Sequence, residues 1–137
     1  MFVDRSLGKF AVAGSLRSAG YPIACHDDHF KDDTPDDEWL ALVGEKQWVA
    51  LSADKNIRHK ADLLEAVIAH KVRIVFLTSG QLSGVAQSAL FSRCGRRIQD
   101  TLMSGHPPVA YGLTKDGKLS KLSLARYSVS SRKRHGR

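Results

Sequence analysis

The 137-residue sequence predicts an α/β fold, a three-layer α/β/α sandwich around a mainly parallel central sheet. Three observations predict it. Short apolar runs alternate with helical segments, strand then helix, four times along the chain. The run Trp48-Val49-Ala50-Leu51-Ser52 is apolar throughout, as a strand covered on both faces is. No internal repeat and no Pro- or Gly-rich linker divides the chain, whose length suits one core that buries roughly two thirds of the unfolded surface.

Phe2 and Val3 open a short strand that ends at Asp4. Residues 6–19 place Leu7, Phe10, Ala11, Gly14 and Leu16 at helical spacing, and Gly20 stops that helix. Residues 21–25 are a second strand, followed by an acidic loop over residues 26–33. Thr34-Pro35-Asp36-Asp37 predicts a helix start with Thr34 as N-cap, Pro35 at the first helical position and carboxylates at the positive end of the dipole. Trp39, Leu40, Leu42 and Val43 carry this helix to Gly44 or slightly beyond. After the strand at residues 48–52, Leu64, Val67 and Ile68 mark a helix over residues 60–70. Residues 72–77, Val-Arg-Ile-Val-Phe-Leu, form the clearest strand, and residues 78–84 a loop. Val85, Ala86, Ala89, Leu90, Cys94 and Ile98 mark a long helix. Residues 109–113 and 119–122, joined by a turn containing Asp116-Gly117, predict a closing hairpin.

With 42% apolar and 26% charged residues, the composition excludes a disordered or collagen-like chain. No apolar run approaches the roughly 20 residues of a membrane span, and nothing marks a signal peptide, so a cytoplasmic protein is expected. Cys25 and Cys94 are too few for a disulfide framework and lack zinc or redox spacing, so reduced, partly buried thiols are expected. The formal charge of +7 is confined to the end of the chain, because no acid follows Asp116. We therefore expect a domain over residues 1–122 and a basic, flexible tail over residues 123–137, able to bind polyanions weakly by counterion release. Seven of the 14 acids fall between Asp27 and Glu38.

In an open parallel sheet, ligands bind beyond the carboxyl ends of the strands. Asp4 follows the first strand, Asp36 opens the helix reached from the second, and Asp54 follows the third. Asp36 lies four and seven residues before Leu40 and Val43, which assigns it to their inward face. Three carboxylates at one sheet edge suit Mg²⁺ or Mn²⁺, which take oxygen ligands and can assist phosphodiester hydrolysis. Singly, Asp4 could end a strand, Asp36 and Asp37 could complement a helix dipole, and Asp54 could cap a turn. Asp27, Asp28, Asp32 and Asp33 read as a solvated loop, and with His29 and Lys31 at ligand positions they fail the EF-hand pattern. Phosphate loop, dinucleotide fingerprint, nucleophile elbow and H-E-x-x-H motifs are absent from the sequence.

Four stretches resemble the PIN-like nucleases, in particular their compact VapC-type toxin relatives. They are Phe2-Val3-Asp4-Arg5, Asp27-Asp28-His29-Phe30 on through Thr34-Pro35-Asp36-Asp37-Glu38-Trp39-Leu40, residues 48–58, and Val75-Phe76-Leu77-Thr78-Ser79-Gly80. The resemblance covers roughly residues 1–112. It implies a Rossmann-like fold and a Mg²⁺- or Mn²⁺-dependent endoribonuclease that leaves a 5′-phosphate, with Asp4, Asp36 and Asp54 as metal-binding acids. It also implies a toxin role with a cognate antitoxin protein as inhibitor. Asn56 stands where compact relatives often carry another Asp, and no fourth acid is identified. Arg5, Lys55 and Arg58 flank the acidic edge as candidate contacts to RNA phosphates. Arg93, Arg96 and Arg97 share a helix face that is either solvated or an RNA track. Thr78 and Ser79 read as loop residues or as hydrogen-bond partners of a metal ligand or water, Trp39 and Trp48 as core, and His26, His29 and His59 receive no catalytic role. The alternative function is a catalytically weak or inactive PIN-like protein that acts as a binding module for nucleic acid or a protein partner; whether the chain forms a homodimer is left open.

Overall fold

The computed structural model describes residues 1–7, 11–54, 56–57, 60–80 and 82–125. The expected features at Phe10, Lys55, Arg58 and His59 and over residues 126–137 lie outside these. Strand β1 (Phe2–Val3) is followed by a 3-10 turn (Arg5–Leu7) and helix α1 (Ala11–Ser18). Then come β2 (Ala24–Cys25), a single helical turn α2 (His26–His29), α3 (Asp36–Lys46), β3 (Val49–Ala53) and α4 (Ala61–Ala69). Strand β4 (Arg73–Leu77), the long α5 (Gly84–Ser104) and the hairpin β5 (Val109–Leu113) and β6 (Leu119–Leu122) complete the order.

Six strands form one sheet in the order β2-β1-β3-β4-β5-β6, parallel except for β6. Period-two alternation sends Val3, Leu51, Val75, Leu77, Val109 and Leu113 to one face, where they pack on Val12 and Leu16 of α1 and Leu90, Phe91, Ile98 and Leu102 of α5. Phe2, Ala50, Ile74, Phe76 and Ala110 point the other way, onto Trp39, Leu40 and Val43 of α3 and Leu64 and Val67 of α4. Helices cover both faces, which is the expected three-layer sandwich. The steps β3 to β4 and β4 to β5 cross the sheet in one direction, yet α4 and α5 lie on opposite faces. These two crossovers therefore have opposite hands, where right-handedness is the rule.

Several boundaries differ from the sequence reading. The second strand is confined to Ala24–Cys25, and the expected acidic loop begins instead with the helical turn α2. Pro35, not Thr34, occupies the N-cap of α3, and no side chain caps that end, so three acids in the first turn stand in for a cap. Val85 is 82% exposed rather than apolar-face, because the buried stripe of α5 starts at Leu90. Gly20, at φ +97, ends α1 as expected, and Gly117, at φ +85, turns the hairpin. Both cysteines are free thiols; burial pushes Cys25 above the ordinary thiol range, against the opposing pull of Arg17. Among the described residues no helix is long and apolar enough to cross a membrane.

Candidate functional site

From β1 the chain steps to β2 on one side, whereas β3 lies on the other side of β1 and leads away to β4. The loops leaving β1 and β3 diverge toward α1 and α4 on opposite faces, so a crevice opens between these strand ends. Continuing the alternation from Phe2 and Ala50 points Asp4, Ser52 and Asp54 to the face covered by α3. A cleft of about 350 Å³ results, lined by Asp4, Arg5, Ser6, Asp36, Trp39, Ser52, Ala53, Asp54 and Leu63. The three acids singled out in the sequence share it.

Asp4 is buried and heavily solvated by the protein. Its Oδ1 accepts the Arg5 amide at 2.8 Å, and its Oδ2 accepts the hydroxyls of Ser6 at 2.8 Å and Ser52 at 2.9 Å. Each hydroxyl has one proton, already given to Oδ2, so the 3.1 Å approach of Ser6 to Ser52 reflects a shared acceptor. The Ser6 oxygen in turn accepts the Ala53 amide at 2.9 Å, tying the loop after β1 to β3. A carboxylate offers about four acceptor sites, so these three donors leave Asp4 about one.

Asp54 extends the ladder through its amide to the Leu77 carbonyl at 3.0 Å. Its Oδ1 accepts the Asn56 amide at 2.9 Å in a local turn that aims the carboxylate. Asn56 thus positions Asp54 through its backbone, and its own side chain is not among the cleft-lining groups. Asp36 departs from expectation: it is exposed at the first turn of α3 rather than turned inward with Leu40 and Val43. At the mouth of the cleft its Oδ1 accepts the Trp39 indole N–H at 2.8 Å. Arg5 is exposed and lines the rim. Thr78 donates to the Leu113 carbonyl and Ser79 accepts the Lys115 amide, so both serve the loop. His26, whose ring nitrogens have no hydrogen-bond partner and whose Nδ1 lies 3.9 Å from Asp27 Oδ1, is buried edge-on against Trp39.

Sequence reasoning passed over Ser6, Ser52 and the indole N–H of Trp39. Period two links Ser52 to Asp54, and i to i+3 spacing links Asp36 to Trp39, so both signals were present. Ser52→Ala should destabilise the protein by about 1–3 kcal/mol, because the buried Asp4 carboxylate loses one of its three donors. A urea midpoint equal to wild type would contradict that role.

The matching sequence model is that described as "PIN like domain", over residues 1–79. The chain belongs to this PIN-like family. The matched span contains all three acids and ends just after β4, so α5 and the hairpin lie beyond it. This PIN-like chain is also 35% identical over 65 residues to "Putative ribonuclease VapC45" of Mycobacterium tuberculosis (strain ATCC 25618 / H37Rv). That alignment covers 44% of the chain and 47% of the relative, about half the length of each. No solved structure matches.

PIN-like nucleases take divalent metals, and the donor set here suits a hard cation: three carboxylates and two hydroxyls, all oxygen, around one cleft. Among the described residues no group of three or more His, Cys, Asp or Glu side chains is placed to hold a metal ion. Mg²⁺ keeps several waters and is commonly held by one or two carboxylates, so it would need fewer than three of these acids.

Proposed function

We propose that this PIN-like protein is a Mg²⁺- or Mn²⁺-dependent endoribonuclease that hydrolyses RNA phosphodiester bonds, the toxin of a toxin–antitoxin pair. The supporting observation is that Asp4, Asp36 and Asp54, brought from three separate segments, line one cleft at the switch point of a parallel sheet. The printed function of the mycobacterial relative points the same way. A bound divalent ion would supply Lewis-acid polarisation of a phosphoryl oxygen and a water of lowered pKa. The protein's own part is to hold the ligands. Asp4 is fixed by three donors, Asp54 by the Asn56 amide and Asp36 by the indole. Arg5 at the rim, with Lys55 and Arg58 close after Asp54 in the sequence, would hold substrate phosphates. The working unit is residues 1–122, the tail over residues 123–137 being a basic appendage, in a cytoplasmic protein whose antitoxin would cover this cleft.

The test is incubation of the purified chain with single-stranded RNA in Mg²⁺, in Mn²⁺ and in EDTA. Metal-dependent internal cleavage leaving 5′-phosphates is expected; cleavage undiminished in EDTA, or none in either metal, would overturn the proposal. Expression alone should arrest growth, and co-expression of a small neighbouring reading frame should relieve it.

A second reading, binding without catalysis, is favoured by a separate feature. Arg93, Arg96 and Arg97 line a cleft of about 520 Å³ with Cys94, Asp100, Asp116 and Gly117. Arg97 is anchored there on the Gly117 carbonyl, and Arg96 reaches Asp100 at 4.0 Å. Arg93→Gln/Arg97→Gln should weaken RNA binding in EDTA and reduce the salt slope by roughly 1.4, at about 0.7 per phosphate contact on a single strand. An unchanged slope would mark the arginines as a solvated face.

A further inference from the structure

We propose that Trp39 is a positioning residue for Asp36, holding one carboxylate oxygen so that the other faces the cleft; the inference rests on the metal reading above. Asp36 sits on an exposed first turn, where an aspartate is ordinarily free to change rotamer. Trp39 has no such freedom. It is 2% exposed and stacked on Phe2 with ring centroids 5.6 Å apart and planes 12° from parallel. Phe2 stacks in turn on Trp48 at 6.0 Å and 12°, and His26 closes the indole edge-on at 6.4 Å. A buried indole N–H requires an acceptor, and Nε1 finds it in Asp36 Oδ1 at 2.8 Å.

Phe2 lies two residues before Asp4 and on the same side of the sheet, so the stack references Asp36, on α3, to the strand that Asp4 directly follows. The donor is also neutral. A lysine or arginine in its place would fix the carboxylate equally well but set a positive charge against the incoming cation. An indole orients the ligand without lowering its net charge.

Calorimetric titration of the full chain with Mn²⁺ tests this. Trp39→Phe, which keeps a stacking ring and removes the donor, should weaken Mn²⁺ binding about tenfold or more, the usual effect of losing a ligand's hydrogen-bond partner. Trp48→Phe, in the same stack with no bond to an acid, should stay within about twofold. In an Asp36→Ala background, which removes the acceptor, Trp39→Phe should add nothing, as expected of residues acting as one unit. Should Trp39→Phe unfold, 3-benzothienylalanine at position 39 keeps both rings and lacks only the N–H. Equal weakening by Trp39→Phe and Trp48→Phe, full affinity in either donor-deleted protein, or additivity with Asp36→Ala would overturn the inference alone. Failure of the wild-type chain to bind Mn²⁺ would overturn the metal reading and this inference with it.

Discussion

Asp54→Asn should abolish metal-dependent RNA cleavage while the fold survives. The substitution is isosteric, and an asparagine oxygen can still accept the Asn56 amide that Asp54 Oδ1 accepts at 2.9 Å, so the local turn is retained. The backbone bond from residue 54 to Leu77 does not involve the side chain. What disappears is one negative charge from a cleft whose only acids are Asp4, Asp36 and Asp54 among its described lining residues. The expected loss is on the order of 10²-fold or more in turnover, with the thermal midpoint within about 2 °C of wild type. Mg²⁺-dependent cleavage retained at wild-type rate would remove Asp54 from the site. RNA binding in EDTA should persist in this variant, which separates catalysis from the binding reading.

Gly44→Ala should destabilise the fold, where a glycine-to-alanine change in a helix ordinarily does the opposite. In an exposed helix interior the change normally adds about 1 kcal/mol of stability. Gly44, in α3, instead lies directly against the backbone carbonyl of His70 at the end of α4, and a Cβ there would be driven into that oxygen. A backbone carbonyl cannot rotate aside as a side chain can, so the two helices must separate. Separation would also strain the Asp37–His70 contact, 2.8 Å, which bridges the same pair. We expect a destabilisation of about 1–3 kcal/mol, read as a fall of roughly 3–10 °C in thermal midpoint. Because α3 carries Asp36 and Trp39, Mn²⁺ affinity should fall as well. A midpoint at or above wild type would show that the helices adapt at no cost.

Where the sequence was legible, the signal was local and repeated. Residues 72–77 and the apolar run before Asp54 announced strands because an uninterrupted apolar stretch has no other stable use in a doubly covered sheet. The resemblance at Asp4, Asp36 and Asp54 was legible for the same reason, since each acid sits beside a strongly patterned element. Less legible was anything depending on a partner distant in sequence. Helical spacing placed Asp36 on the inward face, but a first-turn residue projects beyond the sheet edge, where there is no core to enter; it meets the cleft instead. Val85 failed similarly, because it lies on the solvent side of α5, whose half-buried residues before Leu90 are Ala86, Gln87 and Ser88. The Thr34-Pro35 start was displaced by one residue, within the ordinary ambiguity of helix ends.

By itself, the sequence determined the alternation of strands and helices, the turn glycines and which acids follow strands, because propensity and periodicity act over a few residues. Only the tertiary structure decided that β1 lies between β2 and β3, so that Asp4 and Asp54 border one crevice. It alone put α5 on the face of α1 and set Ser6, Ser52 and Trp39 on the acids. These are contacts between remote segments, fixed by which apolar faces bury one another, and no local pattern encodes that choice.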